Sequence, residues 1–176
     1  MRLFIAFEVE NLSDYFLALQ KRFLSSADLT LTKEFHLTFK FLGEVNERRI
    51  LDTVQRLKTI KFESFNAKTT KVQGFPNDRT PRVIWIGLEP KDKIIELQQK
   101  IDESLKGIFD KEERFEPHIT LARVKYISNK KNLDEQIKII KPAQKEIKID
   151  NFKIIKSTLT PKGPEYEDVE IFLATK

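Results

Sequence analysis

Only two histidines occur among the 176 residues, His36 and His118, and each is followed two positions on by a threonine: His36-Leu37-Thr38-Phe39 and His118-Ile119-Thr120-Leu121. Imidazole is the side chain that titrates near neutral pH. Two such rings on opposite sides of a substrate act as base and acid together, one taking a proton from an attacking water or hydroxyl and the other giving one to the departing oxygen. Phosphoryl transfer suits the pair, because its attacking and leaving oxygens lie roughly in line. The hydroxyls of Thr38 and Thr120, assisted by lysine or arginine, would hold the non-bridging oxygens and stabilise charge there. The rings must be in opposite protonation states, so a bell-shaped pH dependence is expected of the pair. Taken singly, a histidine on a half-buried strand is more often a satisfied structural residue, and threonine is simply a good strand former. Jointly that reading weakens: with 12 threonines in the chain, both histidines carry one at i+2 by accident in about one case in two hundred, although short motifs do produce false matches.

Both motifs sit in short runs with strand character. Side chains alternate along a strand, so i and i+2 share a face. His36, Thr38 and Lys40 then project one way, and Leu37, Phe39 and Phe41 project into a core. His118, Thr120 and Ala122 share a face with Ile119 and Leu121 behind them, and the same parity turns Arg123 away from His118. Strands are expected over 2–9, 36–42, 65–75, 82–88, 118–124, 146–159 and 166–174. Helices are expected over 45–60, 92–109 and 132–141, and where Tyr15, Phe16, Leu19 and Phe23 recur, with Asn11 or Ser13 as its cap. The order strand, helix, His-Thr strand, helix, strand occurs once and begins again at Arg82, with the two histidines 82 residues apart. Such an order points to an internal duplication, approximately 1–80 and 81–176, in one bilobed domain whose pseudo-two-fold axis brings the His-Thr strands to a central cleft.

Composition limits the alternatives. Apolar residues make up 40% and charged residues 34%, the balance of an ordinary globular chain. No apolar stretch approaches the roughly 20 residues of a membrane-spanning helix, and the N-terminus lacks the form of a secretory signal. The absence of cysteine excludes disulfides, thiolate catalysis and cysteine-based zinc sites, and fits a reducing, cytoplasmic setting. Two histidines are too few for a histidine-only metal cage, and no recognisable spacing marks a mixed His/carboxylate site. The net charge of +5 favours an anionic partner only weakly, since the lysines are spread along the chain as on a solvated surface.

HLTFKFLGEV (36–45) and FEPHITLARVK (115–125) resemble the paired HxTx signatures of the 2H phosphoesterase superfamily. With MRLFIAFEV, GFPNDRTPRVIWIGL and KSTLTPKGPEYE in order around them, the whole chain resembles the RNA 2',3'-cyclic phosphodiesterases, also called 2'-5' RNA ligases. The resemblance implies an α+β fold of two pseudo-symmetric lobes, each an antiparallel sheet with outer helices, around a central cleft holding both motifs. It implies opening of a terminal 2',3'-cyclic phosphate to a 2'-phosphate with neither metal nor cofactor, and in some members 2'-5' joining by the reverse chemistry. RNA ends or cyclic nucleotides, tRNA fragments among them, are the expected partners of a monomer. His36 and His118 would be the catalytic pair, with His36 as acid the family-like order, although sequence does not order them. Thr38 and Thr120 would be phosphate ligands, Arg123 matches the arginine after the second motif, and Lys40 has site parity without being a fixed feature. LTLTKEF before His36 lacks the aromatic that some relatives place there. Phe7, Phe41, Phe75 and Tyr166 are candidates to stack a base, each also explained by core packing, and Ser157 falls at a family-like position. Two other readings stand beside this one: a non-catalytic RNA-binding module, and a 2H activity on ADP-ribose cyclic phosphate or 2'-5' oligoadenylate.

Overall fold

The computed structural model describes all residues, 1–176. In chain order the elements are β1 (Arg2–Glu8), α1 (Ser13–Lys21), β2 (Ala27–Leu31), β3 (His36–Glu44), α2 (Glu47–Leu57), β4 (Phe65–Phe75), β5 (Val83–Glu89), α3 (Lys91–Ser104), β6 (His118–Ile127), α4 (Lys130–Ile139), β7 (Glu146–Ile149), β8 (Asn151–Thr160) and β9 (Gly163–Leu173). Helices α2 and α4 begin at asparagines whose side chains accept from the backbone N–H three residues on, Asn46 from Arg49 at 2.9 Å and Asn129 from Asn132 at 3.0 Å, the ordinary N-cap device. Helix α1 has no such cap. Leu12 holds the N-cap position, and the Ser13 hydroxyl donates instead to the Glu10 carbonyl at 3.1 Å.

The strands run β7-β4-β5-β6-β3-β1-β8-β9, with β2 added to β6, and every pairing between them is antiparallel. This is the expected α+β architecture, with β3-β1-β8-β9 forming one lobe and β6-β5-β4-β7 the other. The lobes do not coincide with the halves of the sequence. Strand β4 of the first half pairs with β5 of the second, and β8 of the second half pairs with β1 of the first. The run 146–159, which reads as one alternating strand, is therefore two strands broken at Asp150, β7 at one edge of the sheet and β8 next to the opposite edge strand. Alternation reports which face is buried, not which neighbour a strand takes. Strand β2 lies between the first helix and the first His-Thr strand, where the sequence reading assigns no element. Five residues carry too little periodicity to decide the matter, and pairing with β6 decides it. One contiguous core of 36 buried residues passes through both lobes and includes Leu37, Phe39, Ile119 and Leu121.

The His-Thr strands meet on the axis of this arrangement. β3 and β6 are paired at Leu37↔Ile119 alone; beyond that point β2 takes over as the partner of β6. Gln20 of α1, fully buried, fills the fork. Its Nε2 donates to the carbonyls of Thr32 and Leu121 at 2.6 Å each.

Each His-Thr strand also carries an extra residue three positions after its histidine. In the β1–β3 register Ile5 faces Lys40 and Ala6 faces Thr38, so Phe39 has no partner. In the β5–β6 register Ile84 faces Ala122 and Trp85 faces Thr120, so Leu121 has none. A bulge of this kind reverses the alternation beyond it. Phe39 and Lys40 are consequently both buried, as are Leu121 and Ala122. Lys40 is thus not a site residue: it is 4% exposed on the core side, where its Nζ binds Asp102 Oδ1 and the Asp110 carbonyl. Phe41, expected in the core, is 69% exposed. Arg123 is carried back to the face of His118 and Thr120, against simple parity.

Candidate active site

With Leu37 opposite Ile119 in antiparallel pairing, His36 falls opposite Thr120 and Thr38 opposite His118. Each histidine thus shares a cross-strand position with the threonine of the other motif. The two histidines are diagonal neighbours, about 7–8 Å apart in regular pairing, on the face opposite to the buried Leu37 and Ile119.

The surroundings of the rings break the symmetry. His118 Nδ1 lies 2.7 Å from the Glu116 carbonyl. A carbonyl only accepts, so Nδ1 carries the proton and Nε2 is the atom left for proton transfer. Trp85 stands edge-on to this ring, with centroids 5.4 Å apart. Across the ladder His118 faces Gly87, where a Cβ would fall 2.5 Å from Thr70 Oγ1 and so displace that hydroxyl.

His36 is more enclosed. The edges of Phe4 and Tyr166 lie against it, with centroids 5.4 and 5.0 Å away, and its Nε2 is buried without a hydrogen-bond partner. Burial pushes its pKa below the ordinary histidine value; the nearby Glu8 carboxylate opposes the shift, the Lys153 ammonium adds to it and Asp168 opposes it. Glu8 is the cross-strand partner of His36. Its carboxylate accepts from Lys153 Nζ at 2.6 Å, and the same ammonium reaches Asp168 Oδ2 at 2.8 Å. Desolvation, then repulsion from Glu8, raises the pKa of Glu34. The Tyr166 phenol is raised by burial and by Glu34, against the pull of Arg123 and Arg2, so Arg123 acts electrostatically on the wall of the His36 pocket. Glu8, Glu34 and His36 bring one ligand atom each within 4.8 Å of one another, a spacing that suits a divalent cation, although Lys153 already occupies one oxygen of Glu8.

His36, Thr38, His118, Thr120 and Arg123 therefore share one face of the cleft, and Lys40 does not. Among the aromatic candidates, Phe7 belongs to the core, whereas Tyr166 borders His36 and Phe41 contacts Phe4, with centroids 6.1 Å apart. Glu8, Lys153, Asp168 and Trp85 were not indicated by the sequence, since each reaches its histidine through a strand pairing that spacing along the chain does not disclose. Two surface hollows of about 420 and 460 Å³ lie elsewhere and contain neither histidine.

A bilobed antiparallel sheet carrying one His-x-Thr strand from each lobe to its axis defines a phosphoesterase of the two-histidine type. The family model described as LigT like Phosphoesterase matches residues 7–85 and again 86–166, one match per repeat, and the chain belongs to that family. It is 36% identical over 174 residues to a Methanocaldococcus jannaschii protein named RNA 2',3'-cyclic phosphodiesterase, covering 97% of this chain and 99% of the relative. An Archaeoglobus fulgidus protein of the same name is 32% identical over 176 residues, covering 98% and 99%. The crystal structure of TT0787 from Thermus thermophilus shares the fold, with a TM-score of 0.80 at 24% identity over 98% of this chain and 97% of that one. No helix is long and apolar enough to cross a membrane.

Proposed function

We propose that this chain is an RNA 2',3'-cyclic phosphodiesterase that opens terminal 2',3'-cyclic phosphates to 2'-phosphates without a metal ion. His36 and His118 are the acid–base pair, and Thr38, Thr120 and Arg123 hold the non-bridging oxygens. One ring takes a proton from water as its oxygen bonds to phosphorus. The P–O3' bond breaks in line, and the other ring delivers a proton to O3'. The products are a free 3'-hydroxyl and a 2'-phosphomonoester, with one water consumed. The observation that supports the reading is the antiparallel register at Leu37↔Ile119, which makes His36 and His118 diagonal neighbours on the strands, each with the other motif's threonine opposite. The names of the relatives support RNA as the substrate class. We take the enzyme to act as a cytoplasmic monomer.

The test is to incubate an oligonucleotide ending in a 2',3'-cyclic phosphate with the protein in EDTA and to weigh the product. A gain of one water, with the phosphate on O2', is expected. His36→Ala and His118→Ala should each reduce the rate by about 10²–10⁴. Binding without product in the wild type would replace this reading with that of an RNA-binding module, and turnover near wild type in either variant would remove the two-histidine mechanism.

A further inference from the structure

Beyond the two bulges, the first residue to return to the cleft face differs between the lobes: it is Phe41 in β3 and Arg123 in β6. We propose that this asymmetry orients the substrate, and that Phe41 is the platform on which the base of the nucleotide carrying the cyclic phosphate stacks. The inference rests on the function proposed above.

Phe41 is 69% exposed between Lys40 at 4% and Leu42 at 7%, so its ring is turned out of a strand whose neighbours are buried. It is continuous with the phosphate site. Its centroid is 6.1 Å from that of Phe4, inclined at 38°, and Phe4 in turn touches the edges of His36 and Tyr166. Phe4, Ala6, Ile155 and Tyr166 make a separate small apolar cluster, which floors the cleft on this side and leaves Phe41 as its uncovered rim. An exposed aromatic beside an anion site matches a nucleotide, which presents a π-face a short distance from a phosphate. In the other lobe the equivalent position supplies the Arg123 guanidinium, suited to phosphate oxygens rather than to an apolar face. Phe75 is 64% exposed and is the alternative platform. It ends β4 and has no aromatic neighbour linking it to either histidine.

The experiment compares two substrates with the same five-membered cyclic phosphodiester, adenosine 2',3'-cyclic phosphate and glycerol 1,2-cyclic phosphate, which has no base. The quantity read is the ratio of their kcat/KM values. Phe41→Ala should lower this ratio by about 5- to 150-fold, the range that loss of one base–aromatic stack gives, chiefly through the KM of the nucleotide. Phe41→Trp should restore the ratio, which a purely structural role of the ring would not predict. An unchanged ratio in Phe41→Ala, or a fall produced by Phe75→Ala instead, overturns the inference. A wild type that opens neither substrate overturns the proposed function and this inference with it.

Discussion

At the scale of single residues, burial decides what each charge near the site can do. Lys40 and Asp102 form an ion pair with side chains 3% and 8% exposed, and the other Asp102 oxygen accepts from the Glu112 backbone at 2.9 Å. Removing the lysine leaves a buried carboxylate without a counter-charge, a change that costs about 3–5 kcal/mol. Lys40→Met should therefore lower the unfolding free energy by that amount, read as a lower denaturant midpoint at unchanged m, while the folded enzyme keeps its kcat/KM. A normal midpoint with lost turnover would return Lys40 to the site. His36 gives a pH prediction. Burial lowers its folded pKa below the roughly 6.5 of an unfolded chain. Between those two values the unfolded chain binds more protons, so stability is full above the unfolded pKa and declines as pH falls toward the folded one. The Tm of the wild type should drop on acidification from neutrality through this window, and that of His36→Asn should drop less. Equal slopes for the two would mean that the ring titrates alike in both states.

At the scale of elements, the sequence discloses more about existence than about register. The two His-Thr strands, the helices and the apolar backing of each motif follow from periodicity and from two matched histidines. Parity fails three residues after each histidine, and there the assignments reverse: Lys40 goes in, Phe41 and Arg123 come out. Nothing in FKFLG or LARVK marks Phe39 or Leu121 as unpaired, because a bulge is set by the neighbouring strand and by what holds the displaced carbonyl. At Leu121 that holder is Gln20, aided by the Thr32 N–H at 3.1 Å. Replacing Gln20 with leucine leaves the Thr32 carbonyl and half of the Leu121 carbonyl's bonding unmet, at about 1–3 kcal/mol for a buried group. Gln20→Leu should lower the urea midpoint accordingly. It should also depress kcat on cyclic phosphate ends, since the same bond fixes the bulge between Thr120 and Arg123. Loss of stability with kcat untouched would show that the bulge holds without it.

At the scale of the whole molecule, a repeated element order is legible in the sequence, but the exchange of strands between its two halves is not. β4 leaves the first half to pair with β5, and β8 leaves the second to pair with β1. The first half alone thus lacks β8 and β9 of its lobe and the second half lacks β4, so each exposes the edge those strands would cover and the apolar side chains of a core shared by both. Unpaired edges of that kind favour association over independent folding. Cutting the chain in the exposed turn after Phe75, between β4 and β5, should therefore give two fragments that show no cooperative thermal transition separately. Mixed, they should regain a single transition and cyclic phosphodiesterase activity, because His36 and His118 reach the axis only when the exchanged strands are in place. A first-half fragment that unfolds cooperatively by itself would contradict the interlocked arrangement, and with it the view that the two imidazoles depend on one folding unit.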